Sequence, residues 1–245
     1  MSLRSRLTVL PWGATTSAWD GYERAWGYAV MDLPFSSGHV LGLRVFPQTD
    51  FGGYVSVWHR DPGGAWAQYV DRAPLEAGCP RVWGPALDTA APARIGVEWT
   101  GPMELTVTMD DPELRWRLEV EETWLLRVLN ALHAPLPLGT WRHRALVAVR
   151  ERLLKILGLG AVSLSGEAPT GVHLVAALRE MFWVSTSTAV LDGRDLGAPT
   201  VLEDCPTIGG WPLPRRGVLA VGEAHATTPD REEYRRLRRR VLDRG

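Results

Sequence analysis

Between residues 53 and 122 the chain alternates large apolar with polar residues at a period of two, in short runs separated by turn residues. In the sharpest run Leu114, Trp116, Leu118 and Val120 share one face, and Arg115, Arg117, Glu119 and Glu121 share the other. That pattern predicts a strand with one dry and one wet face. Residues 94–100 and 104–109 repeat it, with Ile95, Val97 and Trp99, then Leu105, Val107 and Met109, on their dry faces. Gly101-Pro102 and Asp110-Asp111-Pro112 supply tight turns, so the three runs predict a meander. Upstream, residues 40–46, 54–59 and 66–71 read as strands, the last two joined by a hairpin loop at Arg60-Asp61-Pro62-Gly63-Gly64. A Gly- and Pro-rich loop follows at 74–92. Strands resume at 161–165, 171–177 and 182–191, then a tight Asp192-Gly193 turn, with a last strand at 216–222.

In between, the period changes to 3.6. Residues 124–132 predict a short helix and 142–157 a longer one, with Leu146, Val149, Leu153 and Ile156 in one stripe. The stripe reads as the inward face of a helix plugging a barrel, and Arg142, Arg144, Arg150, Arg152 and Lys155 as its solvated side. A basic amphipathic helix also allows peripheral membrane contact. At the C-terminus Thr228, Pro229 and the acids that follow predict a helix over 229–242. Its Arg235, Arg236, Arg238, Arg239, Arg240 and Arg244 read as a solvated tail dispensable for folding, with nucleic-acid or phosphate contact as the alternative.

Strands with aromatic dry faces must pack on a second sheet or curl around their dry side. The expected fold is mainly β: one lipocalin-like antiparallel β-barrel domain over residues 1–245. Its first strands lie in 20–122, a helical insertion in 123–158, closing strands in 161–226 and a C-terminal helix in 229–245.

Composition narrows the function classes. A net charge of −1 gives no reason to expect nucleic acid. Lys155 is the sole lysine, which reads as base-composition bias rather than phosphate recognition. Twelve Trp against four Phe suit a cavity wall as well as a core, since each indole brings one donor. Cys79 and Cys205 lack metal-ligand spacing, and the six histidines are scattered singly, so no metal or cofactor is expected. Phosphate-loop, zinc-protease and serine-hydrolase motifs are absent. The N-terminal apolar run is short for a secretory signal and no stretch approaches the roughly 18 apolar residues of a membrane span, so a cytoplasmic location is the expectation. Oligomeric state is not legible.

One polar and aromatic cluster stands out: Tyr54, Trp58, His59, Arg60, Trp66, Tyr69, Asp71, Arg81 and Trp83. His59, at a strand end, suits an acid or base near neutral pH, or a hydrogen bond to a nearby carbonyl. Arg81 suits a carboxylate or enolate clamp, or a salt bridge to Asp71 or Glu76. With Tyr69 these are the candidate catalytic residues. Tyr54, Trp58, Trp66, Trp99, Trp116 and Trp183 are the candidate ligand wall, with core filling as the alternative. Period two puts Trp58 and His59 on opposite faces, so both serve one site only at a rim.

The run from Gly38-His39-Val40-Leu41 to Tyr54-Val55-Ser56-Val57-Trp58-His59-Arg60, with Trp99-Thr100-Gly101-Pro102, Asp195-Leu196-Gly197 and Pro214-Arg215-Arg216-Gly217, resembles actinobacterial lipocalin-like proteins. More distantly it is similar to the superfamily of carotenoid hydratase-like and AttH-like proteins. The resemblance covers most of residues 20–225 and rests on strands and turns. It implies a barrel holding an isoprenoid- or polyketide-like molecule and, in some relatives, cofactor-free hydration or cyclisation.

Three readings follow: a carrier of a small lipophilic ligand in a Trp-rich cavity, a cofactor-independent cyclase or hydratase in the same cavity, and an interaction protein with a solid core. A void of roughly 300 Å³ is the expected mark of the first two.

Overall fold

The computed structural model describes residues 2–243, and Arg244 lies outside them. A short helix, α1 (Leu3–Leu7), precedes strands β1 (Gly13–Ala14), β2 (Tyr22–Pro34), β3 (Val40–Thr49), β4 (Tyr54–Arg60) and β5 (Trp66–Asp71). Next come α2 (Pro80–Trp83), flanked by two 3₁₀ turns, and strands β6 (Thr89–Pro92), β7 (Ile95–Trp99), β8 (Glu104–Met109) and β9 (Leu114–Glu121). Helices α3 (Trp124–His133) and α4 (Arg144–Ile156) interrupt the strands, which resume as β10 (Ser165–Glu167), β11 (His173–Leu191) and β12 (Arg194–Asp195). A small hairpin, β13 (Thr207–Ile208) with β14 (Trp211–Pro212), precedes β15 (Val218–Thr227) and α5 (Arg231–Leu242).

One 13-stranded sheet carries the architecture, in the order β6-β5-β4-β3-β2-β15-β11-β9-β8-β7. Its end strands β6 and β7 are consecutive in sequence, joined through Ala93 and Arg94, so the sheet curls into a half-barrel. It is mixed rather than wholly antiparallel: β1 runs parallel to β3, and β6 parallel to β5. The second pairing is possible because the chain from 72 to 88 is long enough to return to the other end of β5, which a tight hairpin turn is not.

The concave face is filled. Leu41, Leu43, Val55 and Val57 from one end of the sheet pack in a single cluster with Ile95, Trp99, Leu105, Val107, Leu114, Trp116 and Leu118 from the other. Leu3 and Leu7 of α1 complete it. Strand β9 shows the alternation predicted from its sequence, its four apolar side chains buried and the four charged ones exposed. Each of those four burials contributes about 1.5–3 kcal/mol.

Strand β2, the length of β11 and the strand expected at 161–165, of which only Ser165 is in a strand, are the main departures from the strands read in the sequence. β2 escapes because its outward residues Ala25, Gly27 and Ala29 are too small to mark an alternation. β11 is one strand across two bulges, where the register shifts between Leu178 and Glu180 and between Val184 and Thr186. A bulge breaks the period of two without ending the strand, so the sequence looks like two strands. The turn after it is as predicted: Asp192 (φ 49°) and Gly193 (φ 74°) both lie in the left-handed region that a two-residue hairpin requires.

Helices α3 and α4 form where the 3.6 periodicity places them, but α4 buries the adjacent face, about 100° round the helix. Val147, Arg150 and Leu154 are buried, whereas Leu146, Val149, Leu153 and Ile156 are exposed. The expectation that this stripe faces the sheet is therefore corrected. α4 is apolar on two faces, and Arg150 lies over the Trp141 ring at 4.0 Å, donating to Thr140, which satisfies a cation on the inner side. Helix α5 also departs from a free tail. Tyr234 donates to the Asp50 carboxylate, Arg238 Nε donates to the Asp50 carbonyl at 2.8 Å, and Val241 packs on Phe51 and Ala77.

Candidate functional site

On the convex side, the central strands are floored with small residues. In register, Ala25 on β2 lies beside Ala224 on β15, which lies beside Ala176 on β11. The next rows pair Gly27 with Gly222, and Ala29 with Ala220. Side chains this short leave a layer of unfilled space above the sheet. Neither glycine tolerates a Cβ: at Gly27 it would meet the Val45 carbonyl at 2.1 Å, and at Gly222 the Ala177 carbonyl at 2.2 Å. Both sit at register shifts where the neighbouring backbone crowds in.

Over this floor the chain folds a second layer. Cys79, Val82 and Trp83 from the α2 region cover one side; Leu154 of α4 with Leu159, Val162 and Leu164 the other; and Trp211 and Leu213 the third. They line a cavity of about 160 Å³, partly open to the surface, with a predominantly apolar lining. The wall beside β4 is an edge-to-face chain of indoles, Trp66 to Trp58 at 6.3 Å, Trp58 to Trp83 at 5.8 Å and Trp83 to Trp211 at 5.6 Å. Trp58 Nε1 donates to Ser56 Oγ at 3.1 Å, and Trp66 Nε1 to the Thr207 carbonyl at 3.0 Å, so these indoles are held from behind. The Arg44 guanidinium lies over Trp58 at 4.7 Å, and the Tyr54 hydroxyl lies 3.0 Å from the Cys79 thiol. Burial pushes that thiol's pKa up, so it is a buried neutral partner rather than a nucleophile.

Two carboxylates reach the cavity, and they differ. Glu223 accepts from Arg24 Nε at 2.8 Å, with Arg179 at 3.6 Å and His225 Nε2 at 3.3 Å. Burial works against its charge, but His225 and Arg24 outweigh it and hold Glu223 at about 2. Glu23 is bound by Arg81 Nη2 through one oxygen only. Its Oε2 and the Arg81 Nε are buried with no partner. Burial raises the Glu23 pKa against the opposing pull of Arg81. The cavity is thus predominantly apolar, and its lining includes one incompletely satisfied carboxyl–guanidinium pair, Glu23 with Arg81.

Of the candidate residues, the fold brings Tyr54, Trp58 and Arg81 to this cavity, with Trp66 buttressing Trp58. Arg81 pairs with Glu23, neither Asp71 nor Glu76, because Asp71 is used by the backbone amides of Arg72 and Ile95. Trp99 and Trp116 are elsewhere, in the concave core, bonded to the Tyr28 hydroxyl and Ser187 Oγ. Trp183 packs under the helices with Arg216 over its ring at 4.1 Å. His59 and Tyr69 point to the face opposite Trp58, Tyr69 against the concave core. His59 Nε2 lies 2.8 Å from His39 Nδ1, and burial and His39 push its pKa down to about 4. It is a neutral, stacked partner remote from the cavity.

Glu23 and the Ala/Gly floor were missed from sequence. The signal was the alternation of Ala25, Gly27 and Ala29 with Ala220, Gly222, Ala224 and Ala226, a stripe of small residues recurring on two strands.

No protein-family model, curated protein or solved structure matches this chain. Among the described residues no cluster of three or more His, Cys, Asp or Glu is placed to hold a metal ion, and no helix is long and apolar enough to cross a membrane.

Proposed function

We propose that this protein binds a small apolar molecule with one polar end in the cavity above the Ala/Gly floor. The observation that carries this is a predominantly apolar chamber whose lining includes one incompletely satisfied polar pair. Buried donors and acceptors in a folded interior are nearly always satisfied, and a ligand hydroxyl, carbonyl or carboxyl would complete Glu23 Oε2 and Arg81 Nε. The cavity is about half the roughly 300 Å³ expected of a ligand site, and that size sets a limit. An apolar cavity of about 150 Å³ takes one benzene-sized guest, so of the isoprenoid- and polyketide-like ligands that the lipocalin-like resemblance implies, only those of a single small ring fit. The binding place differs from the lumen of a barrel, since the concave side here is solid core.

Titration with small one-ring alcohols and acids, read by tryptophan emission and by the rise in melting temperature, tests the reading. Saturable quenching that is lost in Trp58→Leu supports it, and the absence of saturable binding across the series removes it. One observation favours a second reading, a cofactor-free cyclase or hydratase. Glu23, with its pKa raised and one oxygen free, is a carboxyl able to deliver a proton into an apolar chamber. Turnover abolished by Glu23→Gln with binding retained would establish that reading over simple carriage.

A further inference from the structure

Helices α3 and α4 present apolar faces outward that nothing in the fold covers. On α3, Trp124 is 76 % exposed and Leu132 63 %, with Leu125 and Val128 on the same side between them. On α4, Ile156 is 74 % exposed and Val149 56 %, flanked by Leu146 and Leu153. These eight residues account for most of the exposed large hydrophobic side chains of the described chain. Isolated exposed apolar residues are ordinary, but four on one side of each of two helices that line a common hollow mark an interaction surface.

The charge around the faces is one-sided. From Trp124 to Ile156 there are six Arg and Lys against one acid, Glu151, a balance of +5 within a chain whose net charge is −1. Glu151 is also engaged, accepting from the Leu164 amide at 2.7 Å. Arg144, Arg152 and Lys155 are exposed around the apolar residues of α4, while Arg127 is paired with Glu122 at 3.2 Å and Arg142 lies over the Trp19 ring at 5.5 Å.

We infer that this face docks on an anionic phospholipid bilayer. An exposed Trp, aliphatic side chains and surrounding cations are what an interfacial helix needs to sink its apolar side below the headgroups while its cations meet lipid phosphates. Two alternatives fit less well. A second copy joined through the same face would bring these cations against their own duplicates. A specific protein partner anchors bulky side chains in pockets, and the hollow between α3 and α4, which Leu129 and Leu153 help to line, measures about 30 Å³. A fluid surface needs no such pocket.

The placement of α4 gives the docking a use, which rests on the ligand-binding reading. Leu154 lines the cavity from the inner side of the same helix whose outer side carries Val149 and Ile156. A bilayer against α4 would lie about one helix diameter, roughly 10 Å, from the chamber. An apolar ligand would then come from the membrane with little passage through water.

Flotation of the full chain with vesicles tests the docking. Vesicles of phosphatidylcholine with phosphatidylglycerol should carry at least about tenfold more protein than phosphatidylcholine alone, with the excess falling as salt is raised. Trp124→Glu with Val149→Glu should cut the bound fraction by about tenfold, with an unchanged melting temperature, since both positions are exposed. Ala224→Leu, which fills the cavity, should float like wild type, so failure of the ligand reading leaves this test intact. Absence of flotation at low salt, or equal flotation of the double variant, overturns the inference. So does a dimer that the double variant makes monomeric without any vesicle binding, which would assign the face to a second copy.

Discussion

Ala224→Leu separates a real chamber from an ordinary packing gap. Ala224 sits in the middle of the Ala25–Ala224–Ala176 row, facing the cavity of about 160 Å³. Leucine adds three carbons at a partly buried position in the cavity lining. At about 0.8 kcal/mol per buried methylene the gain is about 2.4 kcal/mol, and fixing the new side chain returns about 0.5–1 kcal/mol of rotamer entropy. The variant should be more stable by about 1–2 kcal/mol, a rise in Tm of roughly 3–6 °C for a chain of this size. The same change removes the space a ligand needs. Wild type should gain about 2.7 kcal/mol at a ligand concentration one hundred times Kd, and the variant should gain nothing. Thermal unfolding with and without a small one-ring alcohol reads both effects. If the variant loses 1–3 kcal/mol, the signature of overpacking, the space is absent in solution. If it is stabilised yet its Tm still rises with ligand, the binding place lies elsewhere.

Trp116→Ala, in the solid concave core and bonded to Ser187, should cost about 3–5 kcal/mol by chemical denaturation while leaving ligand affinity unchanged; lost affinity at constant stability would place it in the site after all. Arg81→Ala strands the buried Glu23 carboxyl and should cost about 2–4 kcal/mol near neutral pH, discounted for the quarter-exposed arginine, with Glu23→Gln in that background restoring most of it; no restoration would sink the pairing argument. The depressed pKa of His59, about 4, means that the unfolded chain binds its proton first. Stability should therefore be flat above pH 6.5 and fall as pH drops from about 6.5 towards 4, a slope that His59→Asn should reduce. Truncation before Pro229 should lower Tm by several degrees, because Tyr234, Arg238 and Val241 dock on Asp50 and Phe51, where a free tail would leave Tm unchanged.

Local physics makes much of this protein legible in its sequence. Alternation at period two marks β5 and β7 to β9, because a strand with one buried face repeats its demand for an apolar residue at every second position. Asp192-Gly193 announces its turn, because few residue pairs accept two left-handed conformations. The same parity separates Trp58 from His59, and the structure sends one to the cavity wall and the other to His39. Tertiary structure alone decided which side of each element meets what. Periodicity reports that α4 has an apolar stripe; it does not report that α4 has a second one, or which of the two the sheet takes. Trp99, Trp116 and Trp58 are equivalent as letters, yet the curl of the sheet puts two in a solid core and one beside a void. The chamber itself exists because residues nearly 200 positions apart, Ala25 and Ala224, fall side by side in one ladder, and its polar pair because Glu23 and Arg81 converge there from separate elements. Empty space has no residue to mark it, and only the juxtaposition of small side chains from distant strands brings it into being.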